Sequence, residues 1–100
     1  MILSNQLKPY RSPTDLEREA LTELRDGLQA WDQGLDGDAL QSLVFSCGRE
    51  RFDPMRDWFK TLYEVLLGAS QGPRFGGFIA LLGIEESIAL INKGLADEFL

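Results

Sequence analysis

Residues 55–83 read MRDWFKTLYEVLLGASQGPRFGGFIALLG, and their spacing decides the fold class. Met55, Trp58, Phe59, Leu62, Val65 and Leu66 recur at the intervals that draw one apolar stripe along an α-helix. Asp53-Pro54 stands at the expected start of that helix, a capping carboxylate followed by a proline suited to a first turn. Gly68 is its expected stop. A second, shorter helix is expected from Pro73 to about Leu82, burying Phe75, Phe78, Ile79 and Leu82 and closed by Gly83. Neither this stretch nor any other window alternates β-branched residues at the period of two that a half-buried strand needs.

Outward from there the chain keeps the same habit. Ser12-Pro13-Thr14-Asp15 reads as a helix start, with Ser12 as the cap and Pro13 in the first helical position. Leu16, Ala20, Leu21, Leu24, Leu28 and Trp31 then form an inward stripe, while Glu17, Arg18, Glu19, Glu23, Arg25 and Asp26 cover the other face. Gly34 and Gly37 end that helix in a loop. The next helix is expected from about Asp38 to Cys47, with Leu40, Leu43, Val44 and Cys47 inward and Gly48 as its stop. The last runs from about Glu85 to Leu95 and presents Ile88, Ile91 and Leu95, with Ile84 placed as a hydrophobic staple. Residues 1–12, polar and interrupted by Pro9, are expected to be an extended lead-in, and residues 13–100 a single helical domain. The expected fold is all-α, a compact bundle of about five helices around one core.

Composition narrows the chemistry. The 100 residues contain no His and a single Cys, Cys47, so neither a His-based catalytic pair nor a cysteine zinc site is available. Metal and catalytic residues are accordingly expected to be absent. A net charge of −6 disfavours gripping nucleic acid by bulk charge. The opening residues lack the pattern of a signal peptide, and FGGFIALLGI is far shorter than the roughly 20 residues of a membrane span. A cytoplasmic location without membrane contact is therefore expected.

Several constellations have plain structural readings. Asp36 with Asp38, and Glu85 with Glu86, lie at expected helix starts, where carboxylates complement the helix dipole. The GPRFGGF run follows no strand and lacks the Gly-Lys-Ser/Thr of a phosphate loop, so Gly76-Gly77 is read as a place where a neighbouring helix approaches closely. Arg74, at the head of that helix, is the exception: it is placed to meet a phosphate or a carboxylate. Cys47 reads as a small buried hydrophobe. Phe45, Phe52 and Tyr63 fit the inward stripes less well and are the candidates for stacking on a base. Cations concentrate between residues 49 and 74, where Arg49, Arg51, Arg56, Lys60 and Arg74 face four acids, with Lys8 and Arg11 nearer the start.

The stretch DWFKTLYEVLLGASQGPRFGGFIALLGIEESIALI resembles the C-terminal end of class I lysyl-tRNA synthetases. The resemblance is carried by Trp58-Phe59, Leu62-Tyr63, Val65-Leu66-Leu67-Gly68, Gly72-Pro73-Arg74 with Gly76, Phe78-Ile79-Ala80-Leu81-Leu82-Gly83 and Glu85-Glu86. Arg11-Ser12-Pro13, Asp15-Leu16-Glu17 and Ala20-Leu21 look like the start of the same helical region. The resemblance implies a helical domain related to the anticodon-binding end of glutamyl-tRNA synthetases, attached to a parent that joins lysine to its tRNA using ATP. It also implies that this chain is not itself the catalyst, since neither class I signature motif occurs in it. No cofactor is expected in this chain, ATP belonging to the parent.

The resulting expectation is an accessory tRNA-binding domain that also packs on the preceding domains of its parent. Arg49, Arg51, Arg56, Lys60 and Arg74 would meet phosphates, and Tyr63 or Phe52 would stack on an unpaired base. The alternative is a stand-alone helical protein-interaction module without RNA binding, anchored by Phe45, Phe52 and Phe99-Leu100. A DNA-reading helix-turn-helix is disfavoured: the final helix offers Asn92 and Lys93 but is crowded by Glu85, Glu86, Asp97 and Glu98.

Overall fold

The first helix, α1 (Asp15–Gln29), begins where a side chain and its reply satisfy each other. Thr14 Oγ1 accepts the Glu17 amide at 3.2 Å, and the Glu17 carboxylate accepts the Thr14 amide at 2.8 Å. This reciprocal capping box outcompetes the expected cap, so Ser12 and Pro13 precede the helix. These observations come from a computed structural model that describes residues 12–69 and 71–96. Residues 1–11 of the expected lead-in, with Lys8 and Arg11, and the tail anchors Phe99 and Leu100 lie outside the described residues.

Ala20, Leu21, Leu24 and Leu28 of α1 are buried, as their spacing predicts. Leu16 is instead 42% exposed and Glu17 is buried beside it. The exchange has a physical cause: the Glu17 carboxylate also accepts the Thr61 hydroxyl at 2.8 Å, which rotates the start of the helix so that this acid faces inward. Trp31 is half-buried beyond the helix end, its indole N–H donating to the Gly34 carbonyl at 2.7 Å.

Helix α2 (Gly37–Gly48) starts one residue before the expected Asp38, because the Asp36 carboxylate caps it by accepting the Asp38 and Ala39 amides. Leu40, Val44 and Cys47 are buried; Leu43 is half-buried under Gly27 of α1. Gly48 ends the helix for a reason of packing. A Cβ there would fall 2.4 Å from the Trp58 ring, so only glycine admits the indole. That indole N–H donates to the Val44 carbonyl at 2.8 Å, a buried bond that ties the last turns of α2 to the helix that follows.

Helix α3 (Arg56–Thr61) starts later than Asp53-Pro54 suggests. The Asp53–Pro54 peptide bond is cis and lies in the preceding turn, where the Pro54 and Met55 carbonyls accept the Asp57 and Trp58 amides. Met55 holds the cap position without a side-chain bond. The helix then widens, with no break, into a π-helical turn over Leu62–Leu67 that buries Leu62, Val65 and Leu66. Gly68, at φ 69°, is the expected left-handed stop, and the Ala69 amide returns to the Tyr63 carbonyl at 3.0 Å.

Helix α4 (Phe75–Leu82) begins two residues after Pro73. It packs on α2 through Gly76 and Ile79, so Phe78 is only half-buried and Leu82 is 37% exposed, contrary to expectation. A Cβ on Gly76 would meet the Gln41 amide nitrogen at 2.4 Å and the Gly37 carbonyl at 2.5 Å, so the close helix approach read from the glycine pair is present. The Gly76 amide donates to Gln41 Oε1 at 2.6 Å, inside the interface. Gly83, at φ 101°, turns the chain sharply into α5 (Ile84–Leu95), where Ile91 is buried and Ile84, Ile88 and Leu95 are half-buried. α5 lies along α1, with Arg18 donating to the Leu95 carbonyl and Arg25 to Asn92 Oδ1 at 3.3 Å. Among the described residues the fold is therefore all-α, five helices around one core and no strand.

Two consequences follow for stability. Gly76→Ala forces a methyl against backbone on the facing helix and should cost about 2–3 kcal/mol, whereas Gly77→Ala, with open space around its Cβ, should be neutral or gain up to about 1 kcal/mol of helix propensity. Urea midpoints of the two variants check the contrast. Cys47 is fully buried and desolvation, with a smaller contribution from the Glu23 charge, pushes its thiol up from 9.0 to about 12. The folded chain thus holds that proton more tightly than the unfolded one. Stability from this group is intact below the unfolded value and declines as pH rises through the interval above it. At neutral pH a thiol reagent should label Cys47 no faster than the chain unfolds, which mass spectrometry measures.

Candidate nucleic-acid interface

The six residues expected to meet RNA fall in three places. Arg56, Lys60 and Tyr63 line one shallow groove of about 410 Å³ together with Asp57 and Phe59. Their spacing along a continuous helix puts them on one face, and the π turn carries Tyr63 into that face. Arg56 has no ion-pair partner among the described residues, while Lys60 stands 3.9 Å from Glu64 across one helical turn. Both lie on the surface, where such pairs are worth little and a stronger anion displaces them.

Phe59 is the groove residue that the stripe reading missed. The sequence places it in the core beside Trp58, but adjacent helical positions diverge by about 100° and only Trp58 reaches the centre. Phe59 is half-buried, and Phe45 meets it edge-on with ring centroids 5.3 Å apart. Phe45 is itself 42% exposed, so the pair presents an aromatic surface near the two cations.

The other stacking candidates are engaged. Phe52 is half-buried and stacks on Trp58, with centroids 5.3 Å apart and planes 21° from parallel. Tyr63 donates its hydroxyl to the Pro73 carbonyl at 2.6 Å, packs against Phe75, and its phenol is pushed up by burial. It therefore pins the turn before α4 while its ring borders the groove.

Arg49 and Arg51 lie elsewhere, in a depression of about 440 Å³ shared with Glu23, Ser46 and Glu50. Arg51 is turned toward α1: it reaches Glu23 at 2.6 Å and Glu19 at 3.6 Å, and donates to the Cys47 carbonyl at 2.9 Å. The two carboxylates hold its guanidinium above the usual arginine range. Arg49 is exposed and has no ion-pair partner among the described residues. Arg74 reaches across to α2 and pairs with Asp38 at 2.8 Å, both side chains exposed. Among the described residues no group of three or more His, Cys, Asp or Glu converges as metal ligands would. Nor is any single helix there long and apolar enough to cross a membrane.

Comparison with known proteins gives this geometry a setting. A lysine–tRNA ligase of Roseobacter denitrificans is 67% identical over 93 residues, a match that takes in 93% of this chain. Lysine–tRNA ligases of Rickettsia bellii and Rickettsia felis are each 35% identical over 89 residues, or 88% of the chain. No family model and no solved structure matches. The chain spans only 18% of the length of the Roseobacter ligase and 17% of the Rickettsia ones. By homology along nearly all of its length, and at a scale of one domain within a much longer enzyme, this chain belongs to the lysyl-tRNA synthetases as a domain of that family.

Proposed function

We propose that this domain contributes to binding the tRNA of a class I lysyl-tRNA synthetase, as part of the C-terminal helical region that receives the anticodon arm. The observation that carries the proposal is the joining of Arg56, Lys60, Tyr63, Phe59 and Phe45 along α3 and the neighbouring edge of α2. Cations that fix a phosphate backbone, set beside aromatic faces that accept an unstacked base, are the two ingredients of single-stranded RNA recognition.

In this reading Arg56 and Lys60 supply phosphate contacts and position the RNA, while Phe45 and Phe59 offer the stacking face. Tyr63 keeps the loop before α4 in place and borders the same groove. Arg49, in its separate depression, and Arg74, whose exposed pair with Asp38 is as displaceable as that of Lys60, offer further phosphate contacts; Arg51 acts chiefly by tying the turn after α2 to α1, where two carboxylates and the Cys47 carbonyl hold it. Lysine, ATP and adenylate formation fall to other regions of the parent, in keeping with a sequence that carries neither class I signature motif.

A net charge of −6 limits the isolated domain, because long-range repulsion opposes every local phosphate contact. Its affinity for tRNA is expected on the order of 10⁻⁴ M or weaker, as for non-specific binding. Titration of lysine tRNA into the isotope-labelled chain should perturb amides along α3 and around Phe45. The pair Arg56→Ala with Lys60→Ala should weaken binding and lower the slope of log affinity against log salt by about 2, with the fold unchanged by circular dichroism. Perturbation confined to the acidic face of α1, or a salt slope unaffected by the double substitution, contradicts the proposal.

A further inference from the structure

Helix α4 has no polar side chain anywhere in its sequence, FGGFIALL. A helix that is apolar all round belongs in an environment that covers all of its faces. Here α2 covers one face, through Gly76 and Ile79, and the opposite face is open: Leu81 is 88% exposed. The open surface continues from the end of α4 onto α5, where Leu82 of α4 with Ala89 and Leu90 of α5 border a shallow depression rimmed by Glu86 and Lys93. Contiguous exposed apolar surface with a charged rim marks a docking site rather than a solvated face.

We infer that the α4–α5 corner centred on Leu81 is the surface by which this domain docks on another domain of its own synthetase. The occupant is argued from proportion. The matched segment is 17–18% of the length of the ligases it resembles, so more than four-fifths of such an enzyme lies outside it and offers the covalently linked surface nearest to hand. The corner also stands apart from the Arg56–Lys60–Tyr63 groove, with which it shares no lining residue, so both surfaces work at once. Leu81 is the anchor, a bulky side chain with nowhere to go in the domain alone. The rim pair, one acid and one base, sets orientation by requiring both signs on the partner.

The inference rests on reading the chain as one domain of a larger enzyme, and its test is independent of RNA. Leu81→Cys is introduced into the 100-residue chain and into the Roseobacter denitrificans ligase carrying this sequence in place of its own matching segment. Asp26→Cys, exposed on α1, serves as the control, and Cys47 is silent because it is buried. Labelling by a maleimide is followed on the peptides by mass spectrometry. Position 81 should label freely in the isolated chain and at least about tenfold more slowly in the full ligase, in proportion to the undocked fraction; position 26 should label alike in both. Equal labelling of position 81 in the two proteins overturns the inference. So does protection already present in the isolated chain at high concentration, which would make the occupant a second copy, or protection conferred by anionic phospholipid vesicles, which would make it a membrane. As a second measurement, Leu81→Asp should leave the melting temperature of the isolated chain unchanged and lower that of the full ligase; lowering both equally contradicts docking. Retention of tRNA binding by the isolated Leu81→Cys chain separates failure here from failure of the RNA reading.

Discussion

Two helices meeting backbone to backbone hold the rest of this domain in place. Gly76 of α4 sits so near the start of α2 that a single methyl would collide with main-chain atoms of Gly37 and Gln41. Such an approach excludes water from one of the first-turn amides of α4, which has no partner within its own helix. Gln41 supplies that partner by reaching across with its side-chain oxygen, and is itself buried in doing so. The contact is a fitted pair: without the glycine the helices separate, and without the glutamine a buried donor is left unmet, at a cost of about 1–3 kcal/mol.

The placement of the candidate interface follows from that contact. With α4 anchored on α2, the loop before it is fixed, and its Pro73 carbonyl stands where the Tyr63 hydroxyl can reach it. Tyr63 lies on the π turn, whose wider winding lets Leu62, Val65 and Leu66 all face the core while the tyrosine stays at the groove. Trp58 does the same service at the other end of the helix, tied to the end of α2 and roofed by Phe52. The surface carrying Arg56, Phe59 and Lys60 is thus held at both ends. A rigid platform of this kind suits a domain whose own charge opposes RNA, because little ordering entropy is added to an already weak association.

Periodicity made much of this fold legible. The cores of α1 and α2, the stop at Gly68, the burial of Cys47 and the close approach at Gly76 all follow from apolar spacing and from glycine placed where a side chain has no room. Most of the misplacements arise because local signals ignore what lies across an interface. The cap is the exception: Ser12 and Thr14 are both good caps, and the Thr14-x-x-Glu17 capping box, itself a local pattern, decides between them. Asp53-Pro54 resembles a helix start, yet serves a turn. Phe59 was hidden by its neighbour Trp58, since a stripe of six apolar residues is wider than the core can accept. The cation cluster of residues 49–74 is compact in sequence and divided in space, because Arg51 and Arg74 are drawn aside by Glu23 and Asp38. No pattern in the chain marks Gln41, a polar residue on an otherwise apolar face.

The domain depends on the α2–α4 contact, and hydrogen exchange at the Gly76 amide reads it most directly. A first-turn amide open to solvent exchanges freely, whereas one locked to Gln41 inside the core exchanges only when the domain unfolds. The Gly76 amide should be protected to the full free energy of global unfolding, alongside the amides of Leu24 and Val44. Exchange of Gly76 as fast as that of the exposed Gly77 beside it would show that the two helices are not joined in this way.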